Sequence, residues 1–195
     1  MLGTLLSASL VAYSFARLRW PGRDVFFTLT LASMMLPFQV RIIPLFIVFK
    51  QLGWLDTHLP LIVPHWFGDA FYIFLLRQYF RTLPVDLDEA ARIDGASSLR
   101  IYWSILLPLI RPALATVAIF SFMDNWNAFM TPLIYLNSQS NFTLAIGLAQ
   151  FRNQFQVSWN ALMADSFLVS VAPLCVFFFA QKYFIRGIAM TGIKG

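Results

Sequence analysis

Ser121, Asp124, Asn125, Trp126 and Asn127 stand close together inside the largely apolar block 109–136. On a helix, Ser121, Asp124, Asn125 and Ala128 share one face, with Trp126 and Asn127 adjoining. Amides and carboxylates can hydrogen-bond the hydroxyls of a polyhydroxylated solute, and an indole face can stack on its ring. The same groups can instead bond a neighbouring membrane helix and never touch a solute, which is the better account of any one of them taken alone. Either way they must face a bundle interior or a wet cavity, which makes them candidates for lining a translocation pathway. A different chemistry would make Asp69, Asp124 or Asp165 the ion-linked carboxylate of a proton- or sodium-coupled carrier. Catalytic groups are not expected. His58 and His65 have no Cys or acidic partners at ligand spacing, so no metal site is expected. Cys175 is the sole cysteine and lies in an apolar block, which rules out an intrachain disulfide and suits a packed or lipid-facing thiol. No Gly-x-x-x-x-Gly-Lys-Ser/Thr loop occurs, so no cofactor is expected and nucleotide energy would have to come from a partner.

The elements that position these residues are membrane helices. Of 195 residues, 59% are hydrophobic and only 12% charged, against roughly a quarter charged in a soluble domain. The apolar residues form long blocks divided by Arg- and Pro-containing stretches, each block near the roughly 20 residues that cross hydrocarbon. We expect an all-α membrane protein with about five spans, near 1–16, 25–49, 59–76, 109–136 and 162–179. A transmembrane barrel would alternate at period two, and the run from Val171 to Ala180 does not. Pro37, Pro44, Pro64 and Pro173 fall inside the blocks, so kinked helices are expected.

The net charge of +5, with 21 Phe and 6 Trp, is compatible in principle with nucleic-acid binding. The basic residues instead cluster at the ends of apolar runs, as orientation-setting loop charges do, and no nucleic-acid partner is expected. Arg17, Arg19 and Arg23 fill the first loop, Arg77, Arg81, Arg92, Arg100 and Arg111 the third, and Lys182, Arg186 and Lys194 the tail. Only Lys50 and Arg152 fall in the other loops, with Arg41 near an outer end. The first group is therefore expected in the cytoplasm, with the amino terminus outside and the carboxyl terminus inside. One permease domain over 1–185 and a cytoplasmic tail over 186–195 are expected, with a long cytoplasmic loop at 77–107 and a polar external loop at 137–161.

The cytoplasmic loop has the grammar of two short helices. Pro84 can open the first, Asp86, Asp88 and Glu89 suit its positive end, and Gly95 can take the left-handed conformation that ends it. Ser97 or Ser98 can cap the second, which runs through Leu99, Tyr102, Trp103 and Leu106 to Pro108. Ala90, Ala91, Gly95 and Ala96 keep one side shallow, so another protein's groove could receive it. By spacing alone, an amphipathic helix lying on the lipid surface is an equal reading.

The composite Glu89-Ala90-Ala91, Asp94-Gly95-Ala96, Ile105 and Leu107-Pro108 resembles the EAA loop of binding-protein-dependent importer permeases of the ABC transmembrane type-1 class. Further stretches are similar to the carbohydrate-uptake branch, in the pattern of the smaller permease of the maltose system. They are Leu36-Pro37 with Ile43-Pro44-Leu45, Phe74 to Arg77, Trp126-Asn127-Ala128-Phe129, and Arg186-Gly187-Ile188 to Lys194-Gly195. Ala128 departs from that pattern, since many relatives carry an acidic residue there. The resemblance implies a six-helix permease fold in a bacterial inner membrane, lacking its first helix here. It implies that Glu89, Ala90, Ala91, Asp94, Gly95, Ala96, Leu107 and Pro108 form a coupling loop that seats in a cleft of an ATPase subunit. The implied partners are two ATPase subunits, a second permease, an extracytoplasmic solute-binding protein, the bilayer and a sugar substrate. Amino-acid, peptide or phosphate uptake is the alternative within the class. A preceding span is further expected upstream of Met1, because the first apolar run reaches Arg17 at or below the roughly 17 residues a span needs.

Overall fold

The computed structural model describes residues 1–150 and 159–189, and every regular element among them is helical. In chain order these are α1 (Leu2–Arg17), α2 (Arg23–Ser33), α3 (Phe38–Gln51), α4 (Leu59–Ile62) running into a 3-10 turn (Val63–Trp66), and α5 (Ala70–Thr82). Next come α6 (Asp86–Ile93), α7 (Ser98–Ile101), a π-helical turn (Tyr102–Leu106), α8 (Leu107–Leu109) and α9 (Arg111–Trp126). Last are α10 (Met130–Tyr135), α11 (Leu144–Gln150) and α12 (Trp159–Ala189). Among the described residues two stretches are long and apolar enough to cross a membrane, Leu59–Thr82 and Leu162–Phe179, or up to four if the bent pairs α2 with α3 and α7–α8 with α9 each count as one span. The first apolar run forms α1 of 16 residues, shorter than either of those stretches.

Two of the breaks within the expected spans have a proline or a turn residue as their cause. The block 25–49 is two helices, because Pro37 disfavours helix at the residue before it and the chain turns over Met34–Leu36. Pro44 and Pro173, by contrast, are accommodated within α3 and α12. The stretch from Leu59 breaks before α5, where Gly68 has a φ of 86° and Asp69 caps the new helix, accepting from Phe71 N at 2.9 Å and Tyr72 N at 3.3 Å. The block 109–136 breaks between Trp126 and Met130. Several hydroxyls in these helices bond their own turn, as Ser7 does with Gly3 O (2.7 Å), Thr30 with Phe26 O (2.8 Å) and Ser170 with Ser166 O (2.8 Å).

The chain divides into two compact units. In the first, which includes 1–37 and 65–118, α1 lies along α5. Ala8 and Ala12 are fully buried there with Leu76 and Phe80, the small residues letting the helix backbones approach. Gly3 meets Trp66 so closely that a Cβ would stand 2.8 Å from the indole. Polar anchors fix the register: Ser9 Oγ and Tyr102 OH are 2.7 Å apart, and Tyr13 OH donates to Ser98 O at 3.0 Å. Arg77, expected in a loop, is instead buried within α5, its guanidinium 3.8 Å from the centroid of Phe27 and its Nε donating to Phe15 O.

The second unit comprises 38–64 and 119–182. Its buried residues include Phe49, Tyr135, Leu136 and Ile146, with Phe49 stacked on Trp54 and edge-on to Tyr135. The loop after α3 is tied to the loop after α10 through Asp56, which has a φ of 59°. Its carboxylate accepts from the backbone of Asn137 (2.9 Å) and Ser138 (2.8 Å) and from the Ser138 hydroxyl, while Asn141 Nδ2 donates to Asp56 O at 2.7 Å. Those donors, led by Ser138, hold the Asp56 carboxyl far below the usual carboxylate range. A depressed folded-state value means the contribution is complete above the unfolded value of about 3.9 and is lost only as pH falls through the lower folded one. Limited proteolysis of the wild type should therefore be the same at pH 7 and at about pH 5. Asp56→Asn, which tolerates the left-handed backbone but loses the charge, should open the Asn137 loop to cleavage at both. Cleavage of the wild type that rises over this interval would contradict the assignment.

Candidate functional site

The first helix expected in the loop 77–107 is α6, and both its ends have local causes. Asp86, Asp88 and Glu89 occupy its first turn, matching the positive end of the helix dipole. Pro84 lies just outside, and Val85 is the N-cap. At the far end Gly95 N–H donates to Arg92 O (3.0 Å) and Ala96 N–H to Ala91 O (2.9 Å), the paired closure of a Schellman motif, with Gly95 at a φ of 77°. Ser97 then caps α7 through Arg100 N. The corner is thus built by residues within a few positions of one another.

A second set of bonds holds α6 to the rest of its unit. Arg17, the last residue of α1, donates from Nη2 to Phe80 O (2.7 Å) and Leu83 O (2.8 Å), satisfying carbonyls at the end of α5. Its Nη1 lies 3.2 Å from Asp88 Oδ2, and the two side chains are only 5% and 3% exposed. This is an ion pair without hydrogen-bond alignment, since both Asp88 oxygens and Arg17 Nε are buried with no hydrogen-bond partner among the described residues. One guanidinium thereby joins α1, α5 and α6. The sequence reading placed Arg17 among loop charges and Asp88 in a helix dipole; it did not pair them.

With Asp88 and Ala91 turned inward, Glu89, Ala90, Asp94 and Gly95 are exposed and Ala96 is half-buried. Val85, Ile93, Leu99 and Trp103 are exposed apolar residues on the same stretch. A cleft of about 680 Å³ beside α6 is lined by Arg17, Arg19, Trp20, Arg23, Asp88 and Arg92 among others. Leu107 and Pro108 lie in α8, past the π-helical turn, and the chain then bends by 80° into α9.

The expected pathway residues are only partly on one helix face. Ser121 is 1% exposed, with its hydroxyl unpartnered among the described residues, and its carbonyl accepts from Asn125 Nδ2 at 2.6 Å. Asp124 and Asn125 are exposed. Because α9 ends at Trp126, Ala128 falls in the break and leaves the face it was expected to share. Trp126 stacks on Phe122 at 5.4 Å between centroids and donates from Nε1 to Val169 O at 3.1 Å, and Asn127 Nδ2 donates to Met123 O at 2.9 Å. Trp126 and Asn127 thus border a cleft between the break, α11 and α12. Of the carboxylates considered for ion coupling, Asp69 is occupied as the cap of α5, and the Asp165 side chain lies outside the described residues. His58 Nε2 lies 3.1 Å from Asn141 O, and Cys175 is exposed.

Comparison with known proteins agrees with this architecture. Residues 5–189 match the family described as the inner membrane component of binding-protein-dependent transport systems. The arabinooligosaccharides transport system permease AraQ of Halalkalibacterium halodurans is 38% identical over 192 residues, 98% of this chain and 68% of that protein. The osmoprotective-compound uptake permease GgtD of Synechocystis sp. is 38% identical over 96% of this chain, which spans 63% of its length. The sn-glycerol-3-phosphate permease UgpE of Yersinia enterocolitica is 36% identical over 95% of this chain and 66% of its own. Among solved structures, a bacterial ABC transporter involved in import of the acidic polysaccharide alginate superposes with a TM-score of 0.73 at 25% identity, covering 100% of this chain and 70% of that one.

Proposed function

Since this chain belongs to the family of binding-protein-dependent transport system inner membrane components, we propose that it is the permease subunit of an ATP-driven sugar importer, coupled to its ATPase through α6. The observation that carries the coupling role is the outward face of Glu89, Ala90, Asp94 and Gly95 on a helix whose other face is pinned to α1 and α5 by Arg17. A short helix so held transmits displacement, and needs no bond-making residue of its own, because a permease only biases an equilibrium between inward- and outward-open states. ATP hydrolysis belongs to two partner subunits. A second permease completes the pathway, and an extracytoplasmic binding protein delivers the solute. The relatives named for arabinooligosaccharides and alginate support sugar as the substrate class. The relative named for sn-glycerol-3-phosphate supports a phosphorylated polyol as the second reading.

In this reading residues 77–107 face the cytoplasm with the carboxyl terminus, and 137–161 face outward, as the distribution of Arg and Lys supports. Single-cysteine labelling in a Cys175→Ala background tests it. Ser98 is the better cytoplasmic position, because the neighbouring Ser97 caps α7. Ser98→Cys should react only after permeabilisation and Ser140→Cys from outside; the reverse pattern would invert the topology. For coupling, Glu89→Lys should reduce co-purification of the ATPase, by reversing charge at the exposed start of α6. Undiminished co-purification and unchanged solute-stimulated ATP hydrolysis would favour a helix that merely lies on lipid.

A further inference from the structure

We propose that the cleft between the end of α9, α11 and the start of α12 cradles one ring of a neutral saccharide as it passes this subunit. The inference rests on the sugar-import reading and adds where the solute touches this chain and which kind it is. The cleft holds about 690 Å³, within the roughly 300–1,000 Å³ of small-molecule sites. Three aromatic side chains border it: Trp126, Phe129 and Trp159. Trp126 is held in place by its bond to Val169 O and its stack on Phe122, so its ring is oriented before any ligand arrives. Phe129 and Trp159 are 39% and 63% exposed, leaving apolar faces uncovered.

Polar groups complete the complement that a sugar requires. Asn127 uses Nδ2 toward Met123 O, while its Oδ1 accepts no hydrogen bond among the described residues. Ser166 contributes a hydroxyl from α12. A pyranose or furanose ring has a C–H face that packs on an electron-rich aromatic face, and a rim of hydroxyls that donate to an amide oxygen and accept from a hydroxyl. The lining has no charged side chain among the described residues. A phosphate or uronate would therefore lose hydration there with no described counter-charge to replace it, so the cleft suits a neutral ring better than an anionic one.

The test uses the assembled transporter, with both permeases, the ATPase and the binding protein, and arabinobiose, maltose and cellobiose as neutral probes. Intrinsic tryptophan fluorescence of the complex reports binding, and ATP-driven uptake into proteoliposomes reports transport. At least one disaccharide should be taken up and should shift the fluorescence. Trp159→Ala and Asn127→Ala should each weaken its binding about tenfold, and Trp159→Phe, which keeps a ring, much less. Should Trp159→Ala fail to assemble, the exposed amide of Asn127 decides alone. Uptake by the wild type with binding unchanged in Asn127→Ala and Trp159→Ala would overturn the cradle and leave the importer reading standing. A wild-type complex that takes up none of the three probes would overturn the sugar reading and the cradle with it, and uptake of sn-glycerol-3-phosphate in that case would identify the second reading as correct.

Discussion

Asp88→Ala should cost the folded subunit about 3–5 kcal/mol, the range for removing one partner of a buried ion pair. The loss comes less from the missing attraction than from Arg17, which keeps a charge in a position only 5% exposed. Its two carbonyl acceptors at Phe80 and Leu83 remain and place the expected value toward the lower end. Removing both charges with Arg17→Met and Asp88→Leu should recover much of the loss, because an apolar pair of similar volume carries no desolvation penalty. The recovery stays incomplete by about 1 kcal/mol, because Leu83 O loses its donor while Phe80 O keeps the Leu83 N–H. Thermal aggregation of the detergent-solubilised complex reads stability, and ATPase co-purification reads the position of α6. An Asp88→Ala variant as stable as the wild type would show that Arg17 is solvated by means other than this carboxylate.

Gly95→Val should have the second large effect. A side chain at a φ of 77° costs about 1–2 kcal/mol from Cβ contact with its own backbone, and β-branching adds to it. Beyond its own backbone and its two neighbours in sequence, no atom of the described residues lies within 4 Å of the position a Cβ would take, so among them the penalty is backbone strain. Gly95→Asn, which tolerates the left-handed region, separates strain from bulk. If α6 seats in a partner's groove, Asn should retain stability yet impair ATPase co-purification, and Val should lose both. Full co-purification by Gly95→Asn, with loss in Gly95→Val tracking stability alone, would remove Gly95 from the contact.

The parts of the molecule that were legible in the sequence have causes confined to a few neighbouring residues. The start of α6 in acidic residues, its end at Gly95 and a serine cap at Ser97 or Ser98 follow from dipoles and caps that act within one turn, and the structure selects Ser97. Helical architecture followed from block length and the absence of alternation. The pairing of Arg17 with Asp88, the seat of Arg77 on Phe27 and the tie of Asp56 to Ser138 were not legible, because each joins residues brought together only by packing. Breaks inside apolar blocks were legible only in part: Pro37 marks one, whereas Pro44 is absorbed by α3 and the interruption after Trp126 contains no proline. That interruption removed Ala128 from the face assigned to it and turned Trp126 and Asn127 toward α12.

The hydroxyls that bond their own helix change what a hydropathy scale means for this chain. Such a scale treats every Ser and Thr as a donor in need of outside company, and so counts it against membrane burial. Thr30 and Ser170 instead spend their one proton on a carbonyl four residues back, and both can meet acyl chains without an unsatisfied donor. A serine or threonine in these helices is therefore a poor flag for where another protein docks. Ser9 and Ser7 are informative exceptions, since Ser9 also reaches the hydroxyl of Tyr102 and Ser7 the carbonyl of His65, both on distant parts of the chain.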